Sequence, residues 1–452
     1  MFVPRYILVL LIGCILTAGL AAQVVSPIGG MNVLAAPYGS GQRPSLAYTG
    51  ELTPSNMLLL SFGDQTIYDD NIFDASGPTR QADIVTSLQS NILLFHNGER
   101  ITVAAQYLPY LQLYRTATQY NRFNQELLAD VNIKASARWD LRVRESFTDQ
   151  VNTYQPQLDT NDVGDTGSPT KLNDTIYAPL APERDTGTRA DAVYQGSART
   201  GFAVFGAYEQ RNFTGTQAAS TQLLSTQVIT AGAEYPYRLT EHGTLGALAL
   251  FQQMNVAGAL TPGSASTLPV VSALGSVGWR LAPTVSVNAF GGLQYIKPGG
   301  VIASPAIPAG AYSGQMGWAG GGTFTDQGHA GAVIISGQRM VSDGGGYANY
   351  VLNSSVDGGL RRRLFKQCDM TLDLVFAQNK GLGFGFGTGT LSSKSVVAGL
   401  AHPLRKNLIF RCGYNYARQT SSGTLPNAPD FNRYQIIAGI SYQMNGLALG
   451  RQ

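Results

Sequence analysis

From about residue 56 onward the chain alternates between apolar and polar positions. In RYQIIAGISYQM, near the C-terminus, Tyr434, Ile436, Ala438, Ile440, Tyr442 and Met444 fall on one side. Arg433, Gln435, Ile437, Gly439, Ser441 and Gln443 fall on the other. Successive side chains of a strand point to opposite faces, so this reads as a strand with one apolar face. The stretch HPLRKNLIFRCGYNYARQ behaves alike: Leu408, Phe410, Cys412, Tyr414 and Tyr416 oppose Arg411 and Asn415. Tyr434 and Tyr442 stand roughly 26 Å apart along a strand. A tilt of about 40° brings that to roughly 20 Å of height, near the ~25 Å apolar band between the aromatic girdles of a membrane barrel.

The same unit recurs along the chain. VTSLQSNILLF and RITVAAQYLPYLQLY flank a turn at His96-Asn97-Gly98-Glu99, and ELLADVNIKAS and WDLRVRESF meet near Ala137. Eight such hairpins are predicted, with NMLLLSFGDQT before them and RYQIIAGISYQM after them. The expected fold is all-β, a transmembrane antiparallel up-and-down β-barrel of about 18 strands (16–18). Turns within hairpins are short and connections between hairpins long, with the longest expected from Val151 to Arg189. An even strand count puts both ends of the barrel on the short-turn, periplasmic side.

The polar faces choose between a soluble sandwich and a membrane barrel. Asp130 and Lys134, Asp140, Arg142 and Arg144, Asp373, and Arg411 with Asn415 lie opposite apolar residues in their segments. Charges at strand centres are intolerable in a dry core unless paired, and an Arg at the bilayer midplane costs about 2–4 kcal/mol. A hydrated interior accommodates them, so these eight residues are expected to line a lumen, with polar inner faces on nearly every strand.

Composition agrees with this and removes alternatives. Only 13% of the 452 residues are charged and the net charge is +3, with no basic cluster of the kind nucleic acid requires. Mean hydropathy near neutral excludes a bundle of membrane helices. Residues 1–22 are expected to be a signal peptide: Arg5, an apolar run from Ile7 to Leu20, then Ala21 and Ala22. The run is shorter than the ~20 residues of a helical span. Leu11-Ile12-Gly13-Cys14 keeps lipidation of Cys14 as an alternative, disfavoured because the following residues stay apolar. Residues 23–55 are expected to form a periplasmic N-terminal segment, 56–445 the barrel and 446–452 a tail. Cys368 and Cys412 fall on non-neighbouring strands, which argues against a disulfide.

Tyr68-Asp69-Asp70-Asn71-Ile72-Phe73, then Asp83, ILLFHNGERITVAAQYLPYLQLY and the late hairpins with basic turns resemble a family of bacterial outer-membrane β-barrel porins, some tied to exopolysaccharide export loci. That resemblance implies an outer-membrane barrel of a Gram-negative-type bacterium, passing solutes or saccharide, and supplies no catalytic residues.

Enzymatic chemistry is not expected. The histidines, His96, His242, His329 and His402, all read as turn residues without metal-site spacing. Asp159-Thr160-Asn161-Asp162-Val163-Gly164 hints at a calcium loop, but Val163 and Thr170 stand where ligands are needed. No cofactor or metal is expected. The long loop offers Asp159, Asp162, Asp165 and Asp174, together with Glu183 and Asp185, as acids that could fold inward and constrict the pore. Arg361-Arg362-Arg363 and Arg405-Lys406 are expected in periplasmic turns, within reach of an export partner or lipid head groups. The functional expectation is an outer-membrane channel passing hydrophilic solutes or exported polysaccharide, in contact with outer-membrane lipid. A structural or adhesive barrel with a plugged lumen and binding surface loops is the alternative, and a secreted soluble all-β protein is a weaker one. No pattern names the solute, the ion preference or the oligomeric state.

Overall fold

Eighteen long strands run antiparallel in chain order in the computed structural model. They are β1 (Asn56–Asp69), β2 (Asp83–Asn97), β3 (Ile101–Tyr114), β4 (Arg122–Lys134), β5 (Trp139–Asn152), β6 (Ala181–Gln195), β7 (Gly201–Phe213), β8 (Ser225–Arg238) and β9 (Gly243–Ala257). Then follow β10 (Ala265–Arg280), β11 (Val285–Ile296), β12 (Gln315–Gly328), β13 (Gly331–Gly344), β14 (Ala348–Leu364), β15 (Cys368–Gly381), β16 (Thr390–Arg405), β17 (Leu408–Ser422) and β18 (Phe431–Gln443). A two-residue β19 (Leu447–Ala448) pairs with Met57 and Leu58 at the base of β1. The structure describes residues 56–75, 80–152, 175–176, 181–214, 223–257, 265–297, 314–328, 331–365, 367–382, 389–423, 430–444 and 447–448. The expected signal peptide, Cys14, the segment 23–55 and Asp159, Asp162, Asp165 and Asp174 lie outside them, as do the calcium-like stretch and His329.

Each strand pairs with the next, and β18 returns to β1 from Ser61↔Gln443 to Asp69↔Gln435. The sheet is closed, which leaves no edge to satisfy in hydrocarbon. The two faces separate cleanly on β18: Ile436 is 54% exposed and Tyr442 48%, whereas Arg433, Gln435 and Ile437 are at most 1% exposed. Apolar side chains out and polar ones in is the inverse of a soluble protein, and it repeats around the wall in Phe123, Leu127, Leu141, Val143, Trp318, Val356 and Phe376. Aromatic pairs mark the two rims of the band. Trp139 and Tyr194 lie 5.0 Å apart near the short turns, and Tyr68 and Tyr434 6.3 Å apart near the long connections. The chain is a closed membrane barrel. Asp64 and Glu145 interrupt its apolar outer face; Glu145 accepts a hydrogen bond from Thr188 at 2.7 Å.

Four expectations need correction. β6 begins at Ala181, so Glu183 and Asp185 are strand residues and the preceding connection is shorter than Val151 to Arg189. The cause is local: APERDTGTRADAVYQ is polar on both faces in its first half, so no hydrophobic alternation marks it. Arg361, Arg362 and Arg363 belong to the end of β14 rather than to a turn. His96 and His402 sit on strands β2 and β16. The inner face is also not polar on nearly every strand. Phe205, Leu248, Leu250, Leu274, Phe290, Ala319 and Met340 bury together inside the barrel. In β9, GTLGALALFQQMNVA, both faces are apolar through its middle.

One hairpin breaks the pattern of short and long connections. β13 and β14 are joined at the long-loop rim by only Gly345, Gly346 and Tyr347. The β12–β13 ladder stops at Gly320↔Arg339, while β13–β14 pairing continues to Gly344↔Ala348. The tip therefore leaves the wall and turns into the barrel, where Val341, Tyr347 and Tyr350 are buried. Both glycines have left-handed φ, +56° and +89°, and a Cβ on Gly345 would meet Ile176 at 2.6 Å. Glycine is required there by conformation and by space.

Candidate functional site

The densest group of interior charges lies on β4 to β7. On β4 and β5, Asp130, Arg142 and Arg144 occupy the face opposite the exposed Leu141 and Val143. Arg142 donates to Asp130 through Nε at 2.9 Å and through its terminal Nη2, a two-pronged geometry that a planar guanidinium favours. Arg144 lies 3.4 Å from Asp130 and 3.7 Å from Asp191 of β6. Arg189 donates to Asp191 at 2.7 Å and lies over the Phe205 ring at 4.4 Å from its centre. Arg211 of β7 continues the row, 2.9 Å from Glu183 and 3.0 Å from Asp185. Arg189 and Asp191 lie in the part of β6 that no hydrophobic alternation marks, and Arg211, near the end of β7, has no local signal that sets it apart from other strand-end charges.

The other expected lumen residues are spread around the barrel. Lys134 and Asp140 are paired in register at the short-turn end of β4 and β5, exposed. Asp373 sits on the inner face of β15 between Gly359 and Val397. Arg411 and Asn415 share the inner face of β17, away from the exposed Phe410 and Tyr414. Asn415 is fully buried and donates to Gln435 at 2.8 Å. The structure thus joins Asp130, Arg142 and Arg144 into one cluster and leaves Lys134, Asp140, Asp373, Arg411 and Asn415 apart from it.

Three pieces of backbone cross the interior. Thr175, in the connection between β5 and β6, accepts hydrogen bonds from Asn353 of β14 at 3.1 Å and Asn379 of β15 at 3.0 Å. Those strands lie about halfway around the ring. The neighbouring Ile176 is 4% exposed and packs with Leu223, Tyr347 and Leu391. The β13–β14 tip supplies the second crossing: the Tyr350 hydroxyl donates to the Met254 carbonyl of β9 at 3.2 Å. Leu223 and Leu224, before β8, supply the third, and the Leu224 N–H donates to Gly346 at 2.9 Å. These pieces cover the apolar inner positions Met254, Val256, Leu268, Val270 and Ile296. That is why the inner wall there is apolar: it is a packed core between wall and inserted segments.

The residues behind the family resemblance do structural work at the seam. Asp69 accepts from Arg433 Nε at 2.9 Å, from Gln435 at 2.8 Å and from the Asn71 N–H at 3.0 Å. Asp70 accepts from the Tyr434 N–H at 2.7 Å and pairs with Arg80. Asn71 donates to the carbonyls of Ala75 and Asn432. Ile72 is fully buried among Ile67, Val85, Tyr114 and Ile437. Asp83 holds the β3–β4 connection, accepting from the N–H groups of Thr116 and Ala117 at 3.0 and 2.9 Å. The first connection is thereby stapled inward over β1 and β18. Burial pushes the Asp74 carboxyl up to about 7, against the pull of Arg433 at 3.3 Å. Burial first, and the Asp74 carboxyl second, also raises the Tyr347 hydroxyl, so the β13–β14 tip lies within electrostatic reach of this staple.

Cys368 and Cys412 are free thiols. Among the described residues no group of His, Cys, Asp or Glu is arranged to hold a metal ion.

No protein-family model matches the chain. No curated protein matches it either. Among solved structures it is similar to Pseudomonas aeruginosa OccK2 (OpdF), at 10% identity and a TM-score of 0.41, covering 86% of this chain and 98% of that one. It is similar to the Pseudomonas aeruginosa outer membrane protein OpdK, at 13% identity and a TM-score of 0.40 over the same shares. Pseudomonas aeruginosa OccK5 (OpdH) matches at 13% identity and 0.41, again over those shares. Likenesses this loose say nothing of what the present chain conveys, and its architecture stands on its own strand ladders.

Proposed function

We propose that the protein is an outer-membrane channel for small hydrophilic solutes. One observation carries the reading: at the level where the outer face bears Leu141 and Val143, the inner face bears an Arg142–Asp130 pair whose side chains are 20% and 23% exposed. Ionised groups at hydrocarbon depth that keep contact with solvent require water inside the wall. The three crossings favour small solutes over a polymer. A polysaccharide would have to displace Thr175, Tyr350 and Leu224 from partners on the far side, whereas a small solute needs only the space beside them. The mix of Arg and Asp gives modest charge selectivity rather than an exclusive one.

The test is conductance of the folded barrel in a planar bilayer, with liposome swelling in sugars of increasing size. Discrete steps and uptake that falls off above small oligosaccharides are expected. Folded, inserted protein that conducts at no voltage would overturn the channel reading. It would favour a plugged barrel with binding loops, the alternative to which the crossings also lend weight. Uptake of long glucans would restore the polysaccharide reading that the family resemblance implies.

A further inference from the structure

The outer wall is not uniform around its circumference. Between β11 and β16 it carries a groove of about 880 Å³, lined on its outward side by Trp318, Arg339, Ser354, Val356, Phe376 and Lys394. Arg339 lies over the Trp318 ring at 4.8 Å and donates to Ser354 at 3.3 Å, yet its Nε is buried with no partner. Lys394 stands between Phe376 and Arg418 in one cross-strand row, and Arg418 is exposed. Lys394 and Arg418 lie two residues beyond the Tyr416–Tyr434 row toward the long connections, and Arg339 is the last residue of β13 paired to β12 on that side. Among the described residues one acid lies nearby: Asp430, two residues before Asn432, the cross-strand partner of Arg418, and its carboxylate accepts from the Ser421 hydroxyl at 2.7 Å. Of the acids on β10 to β17, Asp326 and Asp369 lie at short-turn ends, Asp343 in the in-turned tip, and Asp357 and Asp373 on the inner face. Two like charges in register, Lys394 and Arg418, are destabilising unless an anion lies between them.

We propose that this groove binds one membrane lipid carrying a phosphorylated head group. Lys394 and Arg418, adjacent in register, take one phosphate; Arg339, three strands from Lys394, takes a second; and an acyl chain lies along Val356, Phe376 and the Trp318 face. Cations just beyond an aromatic row face the head groups of a surrounding leaflet, and the groove below them is apolar, as a chain requires. The site is on the outside of the wall and is independent of whether the lumen conducts.

The test uses the full mature barrel, purified in a mild non-ionic detergent and titrated with bisphosphorylated lipid A in micelles, with native mass spectrometry counting adducts. Dephosphorylated lipid A and inorganic phosphate are the comparison probes. One retained phosphorylated lipid per chain is expected, with no retention of the dephosphorylated form and no displacement by inorganic phosphate. Lys394→Gln alone should weaken retention about tenfold. The triple variant Arg339→Gln, Lys394→Gln, Arg418→Gln should abolish it, and Arg405→Gln at the opposite rim should leave it unchanged. Heat-modified gel mobility verifies that each variant is folded. Equal retention by the triple variant, equal retention of dephosphorylated lipid, or displacement by inorganic phosphate would each overturn the proposal. A barrel that binds the lipid but does not conduct would refute only the channel.

Discussion

Arg433→Met is the most informative single change. Arg433 is 1% exposed, as are Asp69 and Asp74, and it faces both carboxyl groups across the β1–β18 seam. Methionine fills comparable space but offers neither carboxyl a partner. Removing one member of a buried ionic group costs about 3–5 kcal/mol, because the charges left behind cannot be resolvated. The unfolding midpoint in urea, read from heat-modified mobility in detergent, should fall accordingly at neutral pH. Asp74→Asn in the same background removes one of the stranded acids and should restore part of the loss. The pH dependence follows from the raised Asp74 pKa of about 7. In the unfolded chain that group titrates near the usual carboxylate range, so the folded state holds the proton to higher pH. Its contribution is complete below that range, declines as pH rises, and is gone above about 7. Asp74→Asn should therefore flatten stability between roughly pH 4 and 7. A variant Arg433→Met within about 1 kcal/mol of the parent would refute the account, since a buried ionic partner cannot be lost so cheaply. So would an Asp74→Asn protein that keeps the slope.

Ile176→Ala should loosen the crossing made with Thr175, since truncating a buried isoleucine costs about 2–5 kcal/mol; larger or noisier single-channel steps are expected, and an unchanged trace would show that this segment does not narrow the path. Arg142→Ala leaves Asp130 less compensated, so the reversal potential in a salt gradient should move toward cation preference, and a shift toward anions would contradict the assignment. Ala438→Arg places a cation on the lipid side between Tyr434 and Tyr442, at a cost of about 2–4 kcal/mol if midway through the bilayer. Its folding yield in vesicles should drop well below that of the inner-face change Asp373→Arg.

The wall of this barrel was legible in the sequence because alternation is a local signal. Tyr434 to Met444 against Arg433 to Gln443 needs nothing beyond one strand to be read. The same logic failed at β6, where Glu183 and Arg184 are both polar and neither face announces itself. It also failed inside the barrel, where alternation tells the two faces apart but cannot say whether the inner one meets water or inserted backbone. Met254 is apolar because Tyr350, Val341 and Leu224 pack with it, and the first two come from β14 and β13, several places away in the ring. The dipeptide Gly345-Gly346 was the one local clue, since two glycines at a short turn on the rim of long connections suit a chain that doubles back on itself. The pairing of Asp69 with Arg433 had no such clue.

That pairing joins positions 364 residues apart. Contacts of such separation form late, after the loop-closing entropy of everything between them has been met. A closing barrel thus carries two acids at the end of its first strand whose counter-ion lies on its last, so the seam is ionically complete only when β18 meets β1. Chains ended before residue 433 should halt as open sheets with an exposed carboxyl pair, easily recognised by quality-control proteases, and the ring becomes permanent only when its final arginine seats.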